Sequence, residues 1–153
     1  MSSDIDQVRD DVVRRTADEL EIRNAVAKLA HFADTASADD LEGYLEMFTE
    51  DVTWAAMGAG RLGVQERQGR AAMEAGARER RAAGTQGPGS GVRHVITTQV
   101  VEFLTPDKAL SRSYWQTFAD CSTTPTPQAM GEYHDTFVRT SSGWKVQRRE
   151  IRS

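Results

Sequence analysis

The sequence predicts an α+β domain in which a curved, mostly antiparallel sheet wraps around N-terminal helices and leaves a central pocket. Two observations predict it. The front of the chain carries apolar residues at helical spacing, whereas the part after residue 91 holds four long segments in which apolar and polar residues alternate. Short turn sequences join those segments, so we expect them to form an antiparallel meander.

Length, charge and cysteine content narrow the class of protein. The 153 residues fit one domain, which we place at residues 16–153 behind a flexible, polar lead-in at residues 1–15. The single cysteine, Cys121, excludes an internal disulfide framework. The start of the chain resembles no secretory signal and no segment is apolar enough to cross a bilayer, so we expect a cytoplasmic protein. A net charge of −4 argues against nucleic acid or an anionic membrane as a partner.

Two helices are predicted near the N-terminus. The first starts at Thr16 and ends near Asp34, with an apolar stripe of Leu20, Ile22, Ala25, Val26, Leu29 and Phe32. The second follows Ser37, takes its cap from Asp39 or Asp40, and has a stripe of Leu41, Tyr44, Leu45 and Phe48.

After the second helix, the spacing of the apolar residues changes from that of a helix to that of a strand. DVTWAAM (51–57) predicts a strand, residues 58–69 a hairpin with a short second strand, and residues 70–83 a third helix. The glycine-rich run GTQGPGSG (84–91) predicts a loop, and its composition favours a mobile connection over a lid on the pocket. The four alternating segments that follow cover residues 92–104, 109–120, 130–140 and 143–151.

Several kinds of chemistry find little support. The three histidines, His31, His94 and His134, show no metal-ligand spacing with one another or with cysteine, and the glycine run lacks the ending of a phosphate loop. We therefore expect no metal and no cofactor. The third helix carries four arginines, Arg70, Arg78, Arg80 and Arg81. Glu74 and Glu79 interleave with these arginines, which favours a solvated helix face over a phosphate-binding site.

Acid–base chemistry remains, with Asp34 and His94 as the candidate groups. A carboxylate in the last turn of a helix meets the negative end of the helix dipole, which costs about 0.3–1 kcal/mol when exposed. Taken alone, Asp34 is also explained as a residue that turns the chain and caps the next helix. A histidine at the head of a strand, as His94 is, is more often a surface residue than a catalytic one.

The order of six motifs resembles the SnoaL-like branch of the nuclear transport factor 2-like superfamily. They are HFADTASADD, FTEDVTW, RHVITT, SRSYWQTF, GEYHDTFVRT and GWKVQRR, and the resemblance covers residues 17–151. This branch includes scytalone dehydratase, bile acid dehydratase and hexachlorocyclohexane dehydrochlorinase. The resemblance implies a cone-shaped barrel.

The resemblance also implies a site. In the dehydratase and dehydrochlorinase members, an aspartate at the end of the first helix pairs with a histidine at the head of a strand, and these positions match Asp34 and His94. The same match assigns a substrate-binding role to Trp54, Trp115, Thr117, Tyr133 and Arg149. Arg149 matches an arginine that stabilises the departing group in some relatives, although the adjacent Arg148 competes for that position.

The chain departs from some relatives at three positions. Thr98 replaces an asparagine four residues after the histidine, and Leu29 and Ala30 stand where a tyrosine or lysine is found. The resemblance therefore implies a shared reaction type rather than a shared substrate.

The resulting prediction is a cofactor-independent dehydratase, dehydrohalogenase or isomerase that acts on a small, largely apolar cyclic substrate such as a polyketide, steroid or aromatic catabolite. The alternatives are a binding protein without chemistry and the small subunit of a larger oxygenase-type assembly. Relatives associate through the outer sheet face, so we expect a homodimer or homotrimer, with Val95, Val101 and Phe103 as candidate contact residues.

Overall fold

The computed structural model describes residues 2–58 and 63–153. Three helices and six strands follow one another as α1 (Ser2–Thr35), α2 (Glu42–Leu45), β1 (Phe48–Met57), β2 (Val64–Gln68), α3 (Arg70–Ala82), β3 (Arg93–Thr105), β4 (Lys108–Ala119), β5 (Thr126–Thr140) and β6 (Gly143–Arg152). The predicted α+β class is confirmed.

All six strands belong to one curved sheet in the order β2-β1-β6-β5-β4-β3. The pairing of β1 with β6 is parallel, and the other neighbouring strands are antiparallel. The sheet is not closed, because β2 and β3 lie at its two edges. It curves around α1, so that the end of this helix and the inner face of the sheet enclose a space.

Helix α1 begins earlier than the sequence predicts. It includes the residues from Ser2 to Thr16, although those described between 4 and 15 are exposed. Ion pairs of Asp6 with Arg9 and of Asp11 with Arg14, three residues apart, support this exposed part of the helix. The predicted start at Thr16 is therefore wrong, while the division into a flexible lead-in and a domain stays a prediction.

Helix α2 is a single turn, much shorter than predicted. Its N-cap is Leu41 and has no side-chain cap, so Asp39 and Asp40 do not cap it. Phe48 instead begins β1, because the Val146 amide already donates a hydrogen bond to the Met47 carbonyl and draws the chain into the sheet. The helical spacing of Phe48 reflects burial against Tyr44, at 5.1 Å between ring centroids.

A β-bulge in β3 reverses the side-chain alternation. Thr98 has a φ of 52°, and the register with β4 shifts between Thr97 and Val100. After the bulge Val101 and Phe103 pack against the core, whereas Val95, before it, is 40% exposed. Val101 and Phe103 are thus not on the outer face, and that prediction is wrong because an inserted residue flips every later side chain.

The core lies between α1 and the inner sheet face. Four of the six predicted stripe residues of α1 are buried, namely Ile22, Ala25, Val26 and Leu29, while Phe32 is partly buried and Leu20 is 57% exposed. Fully buried Phe48, Phe137 and Val146 face them from the sheet. This packing fixes the direction of α1, and hence the position of its last turn relative to β3.

Candidate active site

The last turn of α1 meets the first residues of β3 through Asp34 and His94. The His94 Nδ1 atom lies 2.6 Å from one carboxylate oxygen of Asp34, and the His94 backbone N–H donates to the other at 2.9 Å. The side chains of His94 and Asp34 are only 8% and 7% exposed. Two contacts of the carboxylate with N–H groups compensate for its position at the negative end of the helix dipole.

This contact orients the imidazole ring. An ionised carboxylate only accepts hydrogen bonds, so the Nδ1 atom of His94 carries the proton in its contact with Asp34. In the neutral ring, the Nε2 atom then bears a lone pair, and no hydrogen bond from the described residues reaches it. The ring borders a cavity, so the pair has the geometry of a general base held by a carboxylate.

The cavity has a volume of about 670 Å³. Residues of α1, α3, the loop 84–91 and strands β1, β3, β4, β5 and β6 line it. All five residues to which the resemblance assigns a substrate-binding role border this cavity: Trp54, Trp115, Thr117, Tyr133 and Arg149. Leu29 and Ala30 also line it, so the departure from tyrosine or lysine at these positions makes this wall apolar.

Trp115 and Tyr133 form an aromatic wall. Their rings stack at 5.9 Å between centroids, and Gly131, directly opposite Trp115 on β5, leaves room for the indole. The indole N–H of Trp115 is buried without a hydrogen-bond partner among the described residues. Burial raises the pKa of Tyr133 to about 12, so its hydroxyl ionises even less readily than that of an ordinary tyrosine.

Arg149, rather than Arg148, faces the cavity. The register of β5 with β6 shifts between Thr136 and Phe137, and Gln147 is the extra residue on β6. Trp144 and Val146 point inward before this bulge, and Arg149 points inward after it. Arg148 lies on the other face, where it pairs with Glu150.

Two hydrogen bonds of 2.7 Å each hold the Arg149 guanidinium to the carboxylate of Asp135. Its central carbon lies 4.1 Å from the ring centroid of Tyr133. Burial disfavours the charge, but the attraction and hydrogen bonds of Asp135 outweigh burial and raise the pKa of Arg149. Sequence reasoning missed Asp135, although its inward position follows from the alternation of Tyr133, Asp135 and Phe137.

Helix α3 contributes a residue that the sequence predicted to be solvated. Arg80 borders the cavity, with its guanidinium carbon 5.7 Å from the ring centroid of Trp54 and its Nε donating to Gln86 at 2.9 Å. Arg81 donates to the carbonyls of Phe32 and Ala36 at the end of α1. The prediction of a solvated face is wrong for these two arginines, because the C-terminal turn of α3 packs beside the end of α1. It is also wrong for Arg70, whose side chain is 20% exposed and donates to the Phe48 carbonyl.

The loop 84–91 forms part of the cavity wall. Gly84, Thr85, Gln86 and Ser90 line the cavity. The Gly87 N–H donates to the Ala33 carbonyl at 2.9 Å, which attaches the loop one residue before Asp34. The loop is thus part of the wall, and both the mobile connection and the lid stay predictions.

No cluster of three or more His, Cys, Asp or Glu side chains among the described residues is arranged to hold a metal ion. No helix in the same part of the chain combines the length and apolar character needed to cross a bilayer.

The chain was compared with known families, curated proteins and solved structures. A crystal structure of a nuclear transport factor 2-like protein with a cystatin-like fold from Novosphingobium aromaticivorans is 29% identical over 91% of this chain and 83% of that one, with a TM-score of 0.73. A protein of that organism provisionally named aromatic ring hydroxylase is 25% identical, with coverage of 90% and 89% and a TM-score of 0.66.

A third Novosphingobium aromaticivorans protein, provisionally named scytalone dehydratase, shares the fold at 18% identity, with coverage of 92% and 87% and a TM-score of 0.68. No curated protein matches the chain. The model of the SnoaL-like domain matches residues 14–150. The chain therefore belongs to the SnoaL-like domain family, within the nuclear transport factor 2-like fold.

Proposed function

We propose that the protein is a cofactor-independent acid–base enzyme of the dehydratase, dehydrohalogenase or isomerase type. The observation that carries the proposal is the buried hydrogen bond between Asp34 and His94 at the wall of an otherwise largely aromatic and aliphatic cavity. In this proposal the Nε2 atom of His94 removes a proton next to an activating group. Asp34 stabilises the imidazolium that results.

For a dehydration, the reaction balances without a co-reactant. The electron pair of the broken C–H bond forms the new double bond, and the hydroxyl leaves with the pair of the C–O bond. The leaving oxygen takes the proton from His94 and departs as water. Tyr133, whose hydroxyl is protonated at neutral pH as in an ordinary tyrosine, donates a hydrogen bond to that oxygen, and Arg149 supplies positive charge behind it.

The cavity supports a small, mostly apolar ring compound as substrate. Trp54, Trp115 and Tyr133 offer aromatic faces, and about 670 Å³ falls within the range of pockets that hold such ligands. The fold shared with a protein provisionally named scytalone dehydratase agrees with this class.

A substrate screen followed by substitution tests the proposal. Hydroxylated aromatic, polyketide-like and steroid compounds are screened for turnover by the wild-type protein. With any substrate found, His94→Ala and Asp34→Asn each lower kcat by about 10²–10⁴-fold, while His31→Ala, at an exposed histidine, leaves it unchanged. Unchanged turnover in both site variants contradicts the mechanism.

A second candidate is the small subunit of an oxygenase-type assembly without chemistry of its own. The 25% identity to a protein provisionally named aromatic ring hydroxylase favours it. In that case the purified chain is inactive until a large subunit is added. Turnover by the chain alone excludes this candidate.

Association of identical subunits through the outer sheet face remains part of the proposal. Several large apolar side chains are exposed there, among them Val95, Val100, Leu104 and Tyr114. Light scattering coupled to gel filtration is expected to give the mass of a dimer or trimer. A monomer at micromolar concentration contradicts this expectation.

A further inference from the structure

We propose that the ligand of this cavity carries an anionic group, most simply a carboxylate, and that Arg80 binds it. The inference rests on the proposed function only in placing the substrate in the same cavity. It adds a chemical class to the ring compound, and it names a specificity-determining residue outside the Asp34–His94 pair.

Arg80 has hydrogen-bonding capacity that the described residues do not use. Its Nε atom is committed to the neutral side chain of Gln86, and its guanidinium lies over the Trp54 ring. Across residues 2–58 and 63–153, no hydrogen bond or ion pair occupies its two terminal nitrogens. Arg78, on the same helix, is instead paired with Glu74 at 2.9 Å.

The charges at the cavity wall are not balanced. The described lining residues include Arg80, His94 and Arg149 but no aspartate or glutamate. Asp135 neutralises Arg149 and Asp34 faces His94, which leaves the positive charge of Arg80 without a counter-charge. An anionic group on the ligand supplies that charge, and two terminal N–H groups in one plane suit a bidentate carboxylate.

The charge of Arg80 affects groups inside the cavity and not only the solvent. Its charge opposes, to a small extent, the rise that burial causes in the pKa of Tyr133. Arg80 therefore lies close enough to Tyr133, which β5 contributes to the same cavity, to influence it electrostatically. Contact with Trp54 also holds the guanidinium beside an aromatic face, where the ring of a bound aromatic acid would pack.

The consequence for the reaction is orientation. Arg80 extends from α3, whereas His94 extends from β3, so an anion fixed at Arg80 limits which carbon of the ligand faces the imidazole. Arg80 would select and position the substrate without taking part in proton transfer.

A binding experiment with a matched ligand pair tests this inference. The probes are 2-naphthoate and 2-naphthylmethanol, which share a ring system and differ in charge, and binding is followed by calorimetry and by quenching of tryptophan fluorescence. We expect the wild-type protein to bind the carboxylate at least about tenfold more tightly than the alcohol, because a hydrogen-bonded charge pair is lost in the alcohol.

Substitutions assign the preference to Arg80. Arg80→Gln is expected to weaken 2-naphthoate binding by about tenfold or more and to change 2-naphthylmethanol binding by less than about twofold. Arg80→Lys keeps part of the preference, since it keeps the charge but not the planar fork. Arg78→Gln, on the exposed part of the same helix, is the matched control and leaves both affinities unchanged.

The inference is overturned if the wild-type protein binds the alcohol as tightly as the carboxylate, if it binds neither at millimolar concentration, or if Arg80→Gln weakens both equally. Because the readout is binding, the result is independent of turnover. Loss of activity in His94→Ala with retained carboxylate preference supports both proposals. A retained preference with no effect of His94→Ala on turnover removes only the proposed mechanism.

Discussion

Two buried carboxylates each hold a residue that lines the cavity, and these two partners differ in kind. Asp135 faces Arg149 across the neighbouring strands β5 and β6 through two hydrogen bonds of 2.7 Å. Asp34 faces His94 across the junction of a helix and a strand, and the two residues are 60 positions apart in the chain. The first pair lies within one sheet, and the second joins the two layers of the fold.

The difference lies in what each partner does with a proton. Arg149 keeps its charge at any accessible pH, and Asp135 raises its pKa further, so this pair is a fixed dipole. A histidine gains and loses a proton near neutral pH, and only one of its ring nitrogens is engaged with Asp34. The same acidic residue type therefore supports a constant charge at one place and, in the proposed mechanism, a proton-transfer group at the other.

The largest effect is expected on breaking the fixed pair. Asp135→Asn leaves the Arg149 guanidinium buried without a counter-charge, which should lower the free energy of unfolding by about 3–5 kcal/mol. Urea denaturation followed by circular dichroism measures it. As a control, the double change Asp135→Leu with Arg149→Met recovers most of the loss, because neither charge is then buried. A loss below about 1 kcal/mol in the single variant would refute the fixed-pair interpretation.

A smaller effect on stability is expected at the other pair. Asp34→Asn removes a hydrogen-bond acceptor from His94 but leaves no permanently charged group without a counter-charge, so we expect a loss of about 1–2 kcal/mol in the same denaturation experiment. The comparison is direct because both changes replace a buried aspartate by its amide. If Asp34→Asn destabilises the protein as much as Asp135→Asn, the two pairs do not differ in the way described.

A third carboxylate, Asp18, extends the comparison to the edge of the core. Arg139 donates hydrogen bonds to Asp18 at 3.0 and 2.6 Å, and these lower the pKa of Asp18 although burial opposes them. A hydrogen bond from the Trp144 indole at 3.0 Å lowers this pKa further. Such a group stabilises the fold above the ordinary aspartate pKa of about 4, and its contribution disappears as pH falls below that value.

Asp18→Asn should therefore cost about 1 kcal/mol at pH 7, since Arg139 is partly exposed, and the gap between variant and wild type should narrow as the pH falls below about 4. Thermal unfolding from pH 3 to pH 8 measures the gap. Asp107→Asn, which removes the more exposed partner of the same arginine, serves as the control with a smaller effect. A gap that does not vary with pH would contradict the assignment.

The sequence predicted the Asp34–His94 pair because both residues are tied to element ends. A helix end and a strand head are local features, and the resemblance then matched them to a known pairing. The five residues to which the resemblance assigned substrate binding border the cavity for the same reason, since each belongs to a motif within one strand. Their roles in binding remain predictions.

Other parts of the site depend on structure that leaves no local pattern. Simple alternation from Trp144 and Val146 points to Arg148, and only the bulge at Gln147 turns Arg149 inward. Arg80 looked solvated because glutamates interleave with the arginines of α3, yet the packing of this helix beside α1 brings its last turn to the cavity. Bulges and helix packing are set by contacts distant in the chain, which the spacing of residues does not encode.

The central claim is that Asp34 holds the proton of His94 on Nδ1 and leaves Nε2 open to the cavity as a base. Nitrogen-15 NMR of protein labelled at histidine reads this directly, because the chain has only three histidines and His94→Gln identifies the signal. The neutral ring of His94 is predicted to carry its proton on Nδ1 in the wild-type protein and to lose this preference in Asp34→Asn. A wild-type ring protonated on Nε2 would contradict the account.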